Sequence, residues 1–477
     1  MRLRIFAALV PVVALSACAV GPDFHTPAAP AEQGYTPQPI TTAGEQSLAP
    51  APVDARWWTL FGSSELNALV DQALKANSDL AATRAALKAA RESWLAARGA
   101  LLPQVDASAG TSRNKGSQYL APVPATPAFD YNLQTAQVSV GYTLDLFGGN
   151  RRQLESARAQ YLSQRYATEA ARISLITNVV AAAFQQAALR DSVAAQSRVV
   201  ALAEQQTGIM RHQLADGQIA GADVMAQEAA LAQARMALSP LRKALAQADD
   251  QLATLTGRSP ADPALPGVDL AKITLPHALP LSLPADLVRQ RPDVCAAEEN
   301  LHSASAQLGV AIAARLPQIT LLASGGGSAA NWANLLGPAN TFWTLGAGVS
   351  QPIFVGGALL HRQRAASAQL DQATALYRSA VLAAFQNVAD TLHALQEDAD
   401  ALAAAQAAQA SAEGSFAVAR RQHDIGEAPL ITAITAEQTL RAAEQTTAQA
   451  QAQRLSDTAA LYQALGGGWW HEAGAKG

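Results

Sequence analysis

The sequence is poor in several residue types, and each scarcity excludes a class of protein. It has two cysteines, Cys18 and Cys295, among 477 residues, so a disulfide framework is excluded, and neither cysteine lies at metal-ligand spacing from a histidine or another cysteine. Charged residues make up only 15% and the net charge is -4, without a long basic run, which argues against a nucleic-acid partner. The eight histidines are scattered, and the sequence has no convincing catalytic Ser/His/Asp or paired-carboxylate cluster. We therefore predict no enzymatic activity, no metal site and no bound cofactor.

Long apolar runs are equally scarce, with one exception at the N-terminus. Arg2 and Arg4 precede an apolar segment at 5–17 that has the length of a signal-peptide core. The segment ends in Leu-Ser-Ala-Cys at 15–18, which resembles a bacterial lipobox, in which the cysteine is acylated after cleavage. We therefore predict a signal peptide at 1–17 and lipidation of Cys18; the alternative is an ordinary signal peptide with a chance cysteine. No other stretch reaches 18 apolar residues, so we predict no transmembrane helix.

The mature chain contains an internal repeat. The segment LPQV at 102–105 recurs as LPQI at 316–319, and four residues match at a constant offset of 209 (426 minus 217). These are Gly217, Glu228, Leu252 and Gly257, which match Gly426, Glu437, Leu461 and Gly466. We predict two repeats, at 65–258 and 285–466, with an N-terminal segment at 18–64, a proline-rich linker at 259–284 and a tail at 467–477.

Each repeat has the same predicted order of elements: a helix, two strands, a very long helix, a tight turn and another helix. In the first repeat we predict a helix at 65–99, strands at 103–115 and 132–147, and helices at 150–214 and 222–257. In the second we predict a helix at 285–315, strands at 317–328 and 341–354, and helices at 358–424 and 429–465. A scaffold or tether of long coiled coils would explain these helices but not the strands.

The predicted strands have one apolar and one polar face. From 136 to 146 the even positions are apolar and the odd positions are polar or small, and the other strands alternate in the same way, except that Leu322 is out of phase. Each strand is about long enough to cross a bilayer at a tilt of the kind found in membrane barrels, about 9 to 11 residues. Because four strands cannot close a barrel, two, three or four copies of the chain would have to pool their strands. The alternative is a soluble sheet with one face packed on helices.

The motifs together resemble a known family over nearly the whole mature chain. They are Val20-Gly21-Pro22-Asp23-Phe24, Arg56-Trp57-Trp58, Leu66-Asn67-Ala68-Leu69-Val70, Leu283-Pro284-Ala285-Asp286-Leu287, Arg291-Pro292-Asp293-Val294, Ala297-Glu298, Pro352-Ile353-Phe354 and Gly356-Gly357. The chain resembles the outer membrane factor lipoproteins of the TolC type, in the NodT/OprM-like subgroup. By the same resemblance, alanine rather than aspartate after Cys18 favours the outer membrane.

The resemblance implies a fold and a function. The fold is a mainly α, partly β homotrimeric channel-tunnel: a 12-stranded transmembrane β-barrel with four strands per protomer, a long α-helical periplasmic barrel, and a mixed belt from the termini and the linker. The function is the passive exit duct of a tripartite efflux pump, with a periplasmic adaptor and an inner-membrane RND transporter as partners. The alternative is the outlet of an ABC-driven type I protein secretion system.

The resemblance also implies candidate site residues at the two turns between long helices. For the periplasmic tips and adaptor docking these are Gly217, Gln218, Gly221, Gly426, Glu427 and Pro429. For the gate they are Asp223, Arg420, Asp424 and Thr435. Thr435 occupies a position where the family carries an acid, so the salt-bridge network of the TolC gate does not transfer intact.

Overall fold

The computed structural model describes residues 19–28, 31–32, 34–115, 130–263 and 267–471. Cys18, the predicted signal peptide and most of the proline-rich loop after Lys115 lie outside this range. The chain divides into two compact units. One comprises Met1–Pro27, Leu87–Gln164 and Ala297–Tyr377, and the other comprises Ala28–Ala86, Arg165–Ala296 and Arg378–Gly477. The predicted class, mainly helical with a smaller amount of sheet, is confirmed.

The described elements follow the chain in two similar series. The N-terminal segment and first repeat contain β1 (Thr42–Ala43), β2 (Gln46–Ala49), α1 (Ser64–Ala76), α2 (Ser78–Gly99), β3 (Gln104–Lys115), β4 (Asp130–Leu144), α3 (Gly149–Ala215) and α4 (Gly221–Leu255). The linker and second repeat contain β5 (Ala278–Pro280), α5 (Pro284–Gln290), α6 (Pro292–Ala313), β6 (Gln318–Ala329), β7 (Thr341–Ser350), α7 (Ala358–Asp424) and α8 (Leu430–Ala464).

The first helix of each repeat is broken, whereas we expected it to be continuous. In the first repeat Asn77 has extended backbone dihedrals, and its side-chain oxygen accepts a hydrogen bond from the Leu80 amide at 2.9 Å, so it ends α1 and caps α2. In the second repeat Arg291 precedes Pro292 and is extended, with φ −78° and ψ 121°. The ring of a proline disfavours helical geometry in the residue before it, which separates α5 from α6.

The first unit contains an antiparallel sheet of four strands in the order β3, β4, β6, β7. Each repeat supplies one pair of neighbouring strands, and the pairing of β4 with β6 joins the two repeats in the middle of the sheet. A short turn of 3-10 helix at Trp332–Asn334 lies in the connection from β6 to β7.

The second unit has a core of aromatic side chains beside a small sheet. Trp57 stacks on Tyr462 with ring centroids 5.2 Å apart, and Phe61 packs edge-on against Phe184. The small sheet pairs β2 in parallel with β5, so the N-terminal segment is bound to the linker between the repeats. The buried guanidinium of Arg454 donates hydrogen bonds to the Ala43 carbonyl of β1 and the Leu395 carbonyl of α7, which fastens this segment to the long helices.

In the described part of the chain, no helix is both long and apolar enough to cross a membrane.

Candidate functional site

The sheet of the first unit has one apolar and one polar face, because residues directly opposite each other on paired strands point to the same side. One row across the four strands is apolar: Val105, Val140, Ala323 and Leu345. The next row is polar: Asp106, Ser139, Ser324 and Thr344. The predicted alternation is confirmed, including the exception, since Leu322 lies opposite Gly141 and Gly346 on the polar face.

The apolar face of this sheet is exposed in the single chain. Trp343 is 77% exposed, Leu345 73% and Val349 72%. A soluble antiparallel sheet normally buries its apolar face against other elements and exposes the polar one. The alternative of a soluble sheet with one face packed on helices therefore does not fit, because these apolar side chains are exposed. A contiguous apolar surface of this kind is typical of a site that contacts lipid or another protein.

Both outer edges of the sheet are also open in the described part of the chain. The end strands β3 and β7 each pair on one side only, so each presents a row of backbone N–H and C=O groups along its other side. These strands are 12 and 10 residues long. Edges of this length favour pairing with strands of another chain.

The turn between α3 and α4 is closed by backbone hydrogen bonds that require a glycine. Gly217 has φ +71°, in the left-handed region, and a Cβ added there would contact nothing within 4 Å. The Gln218 amide donates to the Gln213 carbonyl at 2.8 Å and the Gly217 amide to the Leu214 carbonyl at 3.0 Å, the pattern of a Schellman motif. Glycine is therefore needed for backbone conformation rather than for space. Gly221 begins α4 with an ordinary φ.

The turn between α7 and α8 has the same geometry. Gly426 has φ +81°, and the Glu427 amide donates to the Gln422 carbonyl at 2.8 Å. Pro429 is the residue before the first turn of α8, with extended dihedrals, one position earlier than we expected from the sequence. The Nδ1 atom of His423 lies 3.2 Å from the Ala428 carbonyl, which adds a side-chain contact across the turn.

The four candidate gate residues do not form a cluster of ion pairs. Asp223 accepts a hydrogen bond from the Ala220 amide at 3.2 Å and so caps α4. Thr435 donates to the Ile431 carbonyl of its own helix. Arg420 and Asp424 are exposed, and neither forms an ion pair with any residue that the structure describes. In the single chain Asp223 is a local cap, Arg420 and Asp424 are solvated charges, and Thr435 is bonded within its own helix.

Two ion pairs that we did not predict cross-link the first helical hairpin, formed by α3 and α4. Arg211 and Glu228 are 2.6 Å apart, and Glu204 and Arg235 are 2.7 Å apart. The repeat offset could have identified Glu228 as a position of interest, but the sequence does not show which base faces it.

The equivalent positions in the second hairpin, formed by α7 and α8, are not cross-linked in this way. The counterparts of Glu204 and Arg235 are two acids, Glu413 and Glu444, at the offset of 209 (413 minus 204). Each is bound on its own helix, Glu413 by Gln409 at 2.9 Å and Glu444 by Arg441 at 2.8 Å. Within the described residues the second hairpin therefore lacks the ion pairs that join the helices of the first.

Glu437, the repeat counterpart of Glu228, has a different partner. It is nearly buried and accepts hydrogen bonds from Arg198 of α3 at 2.9 Å and from Arg441 of its own helix at 3.2 Å. Burial alone would raise the pKa of the Glu437 carboxyl, but the two guanidinium groups outweigh it and lower that pKa. This contact joins the first hairpin to the second.

The first described residues of the chain are docked on the first unit. The Val20 amide donates to the Phe147 carbonyl at 3.0 Å, just after β4. Four residues later Phe24 stacks on the ring of His302 with centroids 4.3 Å apart. Between them, Asp23 pairs with the buried guanidinium of Arg152 at 2.5 Å, and that contact lowers the pKa of the Asp23 carboxyl. The segment that follows Cys18 is thus held at the junction between the sheet and α3.

His302 lies between two carboxylates. Its Nδ1 atom is 3.4 Å from Glu299 and its Nε2 atom is 2.9 Å from Glu155. The hydrogen bond with Glu299, helped by the one with Glu155, raises the pKa of the imidazole against the opposing effect of burial. The histidine is thereby biased toward its charged form beneath the stacked Phe24 ring.

Comparisons with known proteins agree over most of the chain. A family model described as "Outer membrane efflux protein" matches residues 69–258 and 283–467. The chain is similar to the toluene efflux pump outer membrane protein TtgC of Pseudomonas putida, with 29% identity over 461 residues, 96% of this chain and 94% of that protein.

Solved structures have the same fold. The outer-membrane channel OprN superposes with a TM-score of 0.83 at 27% identity, over 95% of this chain and 100% of that one. The outer membrane channel CmeC of Campylobacter jejuni superposes with a TM-score of 0.87 at 23% identity, over 96% and 97% of the two chains, which supports the fold alone.

Proposed function

The chain belongs to the outer membrane efflux protein family, and from this premise we propose that it is the outer-membrane exit duct of a tripartite efflux pump. In this role it conducts small molecules passively from a periplasmic adaptor and an inner-membrane RND transporter to the exterior. TtgC is named for toluene efflux; for this chain we propose small-molecule efflux without assigning a substrate. The chain itself has no catalytic role in this proposal, since the inner-membrane partner supplies the energy.

The observation that carries the proposal is the two-faced sheet with open edges. Membrane-spanning strands must satisfy every backbone group, so open edges in lipid require closure into a barrel. The smallest single-chain barrels have eight strands, and this chain supplies four. Three copies, each pairing its β7 edge with the β3 edge of the next, give a closed barrel of twelve strands. A head-to-tail arrangement of this kind closes with cyclic symmetry.

The two faces of the sheet then have separate roles. The apolar face, with Trp343, Leu345 and Val349, contacts lipid. The polar face, which includes the row with Asp106, Ser139 and Thr344, lines a water-filled lumen. Solutes cross the membrane along this polar face.

We place the adaptor at the helical tips. The turns at Gly217 and Gly426 reverse the chain mainly through backbone hydrogen bonds, and their glycines leave open space outside the turn. Adaptor hairpins dock beside these turns. Because the adaptor binds one arrangement of the tip helices more tightly than the other, docking shifts the population toward an open duct. Because the second hairpin lacks, among the described residues, the ion pairs that join the helices of the first, it is the less restrained of the two. We therefore assign the opening movement to α7 and α8.

Lipidation at Cys18 completes the proposal. The docked residues from Val20 to Phe24 hold the start of the described chain beside the sheet. Acyl chains on Cys18 therefore add to the attachment of the barrel to the outer membrane, at about 0.8 kcal/mol per buried methylene.

The test combines oligomer mass and conductance. We expect the detergent-extracted protein to be a trimer by native mass spectrometry and to form gated pores in planar bilayers. Purified adaptor should raise the open probability. A monomer that does not conduct would overturn the proposal. A trimer that conducts, but whose open probability is unchanged by the adaptor of an RND system encoded next to it, would overturn the assignment of partners.

A further inference from the structure

A small cleft lies where β4 and β6 meet the helices α3 and α6 of the first unit. Its volume is about 200 Å³. Its apolar walls are Leu144, Phe147, Val310, Ala313, Ala314 and Pro317. The cleft is not a gap in the core, because the residues around it, except the buried Ala313, remain partly accessible to solvent.

Asp145 is the only carboxylate among the described residues that line the cleft, and both of its oxygens are hydrogen-bonded to the start of α3. The two oxygens of Asp145 accept hydrogen bonds from the amides of Asn150 and Arg151 at 3.0 and 2.9 Å, and from the Arg151 side chain at 3.2 Å. This carboxylate caps the start of α3 and does not present a free charge to the cleft. The other polar residues of the lining, Thr143, Asn150, Gln153 and Gln318, are uncharged, so a hydrocarbon chain can enter without leaving a buried charge unpaired.

The N-terminal segment runs along α3 and α6 and begins beside this cleft. Phe24 is stacked on His302 of α6, and Gly21 lies against Gly309, where a Cβ on Gly21 would be 2.5 Å from the Gly309 Cα. Ala19 lies against Gly148, where an added Cβ would be 2.5 Å from the Ala19 Cβ. Followed backward from Phe24, the segment thus approaches the sheet.

The most N-terminal contact of the described segment, that of Ala19 with Gly148, is next to the cleft. Phe147 and Gly149, the two neighbours of Gly148, both line it. Ala19, the first described residue, is therefore in contact with the segment that forms one wall of the cleft.

We propose that the cleft binds the first part of the acyl chain carried by the α-amino group of Cys18. The proposal rests on the acylation at Cys18 given above and adds a protein site for that lipid. A cleft of this volume holds only the beginning of a fatty acyl chain, and the remainder lies in the bilayer. Binding fixes the direction in which the anchor leaves the protein and covers an apolar surface that water would otherwise contact.

The test uses the full-length protein acylated in cells. Cells are fed a palmitic acid analogue that carries a photoreactive diazirine near its carboxyl end. After irradiation, the purified protein is digested and cross-linked peptides are identified by mass spectrometry. We expect cross-links within residues 143–153 and 310–318.

Two matched variants in α6 make the test specific. Val310→Trp fills the cleft and should reduce these cross-links severalfold, whereas Ile312→Trp, on the same helix but outside the cleft lining, should leave them unchanged. If the unsubstituted protein forms cross-links only to lipid, the cleft assignment is overturned. It is also overturned if both variants reduce the cross-links within 143–153 and 310–318 equally. Intact mass separates this failure from failure of the anchor itself, because a protein without the mass of acyl chains overturns the lipidation on which the proposal rests.

Discussion

A charge placed on the apolar face of the sheet should prevent membrane assembly, while the same charge one residue away should be tolerated. Val140 lies in a central strand, opposite Val105 and opposite Ala323, which is near the middle of β6. Its neighbour Ser139 points to the other face. We expect Val140→Arg to abolish assembly and Ser139→Arg to preserve it.

The expected magnitude follows from the location of each side chain. Arginine on the lipid face near the bilayer midplane costs about 2 to 4 kcal/mol per substitution, so three copies in the proposed trimer lose about 6 to 12 kcal/mol. This loss is comparable with the whole stability of a typical folded domain, about 5 to 15 kcal/mol. On the lumen face arginine stays hydrated, so its cost should be small.

The assay is the amount of trimer recovered from purified outer membranes, followed by conductance of the recovered protein. Val140→Arg should give little trimer. Ser139→Arg should give a normal amount of trimer, with a pore that is less permeable to cations because of the added positive charge. Equal recovery of the two variants would refute our assignment of the faces.

Three further predictions concern the turns, the second hairpin and the docked segment. Gly217→Val should destabilise the tip by about 1 to 2 kcal/mol because of its positive φ, whereas Gly221→Val should cost less; equal thermal shifts would contradict this. Glu444→Arg should create a cross-link to Glu413 and lower the open probability in bilayers, which Glu444→Gln should not do; an unchanged open probability would argue against movement of this hairpin. The raised pKa of His302 means that its contribution to the unfolding free energy is complete below its ordinary value of 6.5 and is lost as pH rises through the raised value. His302→Gln should remove this pH dependence from thermal unfolding, and a variant that keeps it would exclude His302 as the source.

Patterns within single elements could be predicted from the sequence because they depend on local geometry. Alternation along a strand has a period of two in any fold, so the faces of the sheet, including the exception at Leu322, were predictable. The turn glycines were predictable as well, because only glycine readily adopts the positive φ found at Gly217 and Gly426.

Contacts between distant segments depended on the tertiary structure. The partner of Glu437 is Arg198, in the other repeat, and comparison of the two repeats cannot identify a contact that joins them. The local partners of the gate candidates were likewise not visible in the sequence: Asp223 caps its own helix and Thr435 bonds to its own helix, and their role in a gate stays a prediction.

The sequence by itself determined the long helices and the four strands of the larger sheet, their repeat and the two faces of that sheet, since propensity and periodicity act over a few residues. Only the tertiary structure decided where the N-terminal segment docks. That docking depends on glycines at 148 and 309, which allow close approach of the backbone, and on a buried arginine, Arg152, that binds Asp23. These residues are far from the segment along the chain, and packing alone brings them together.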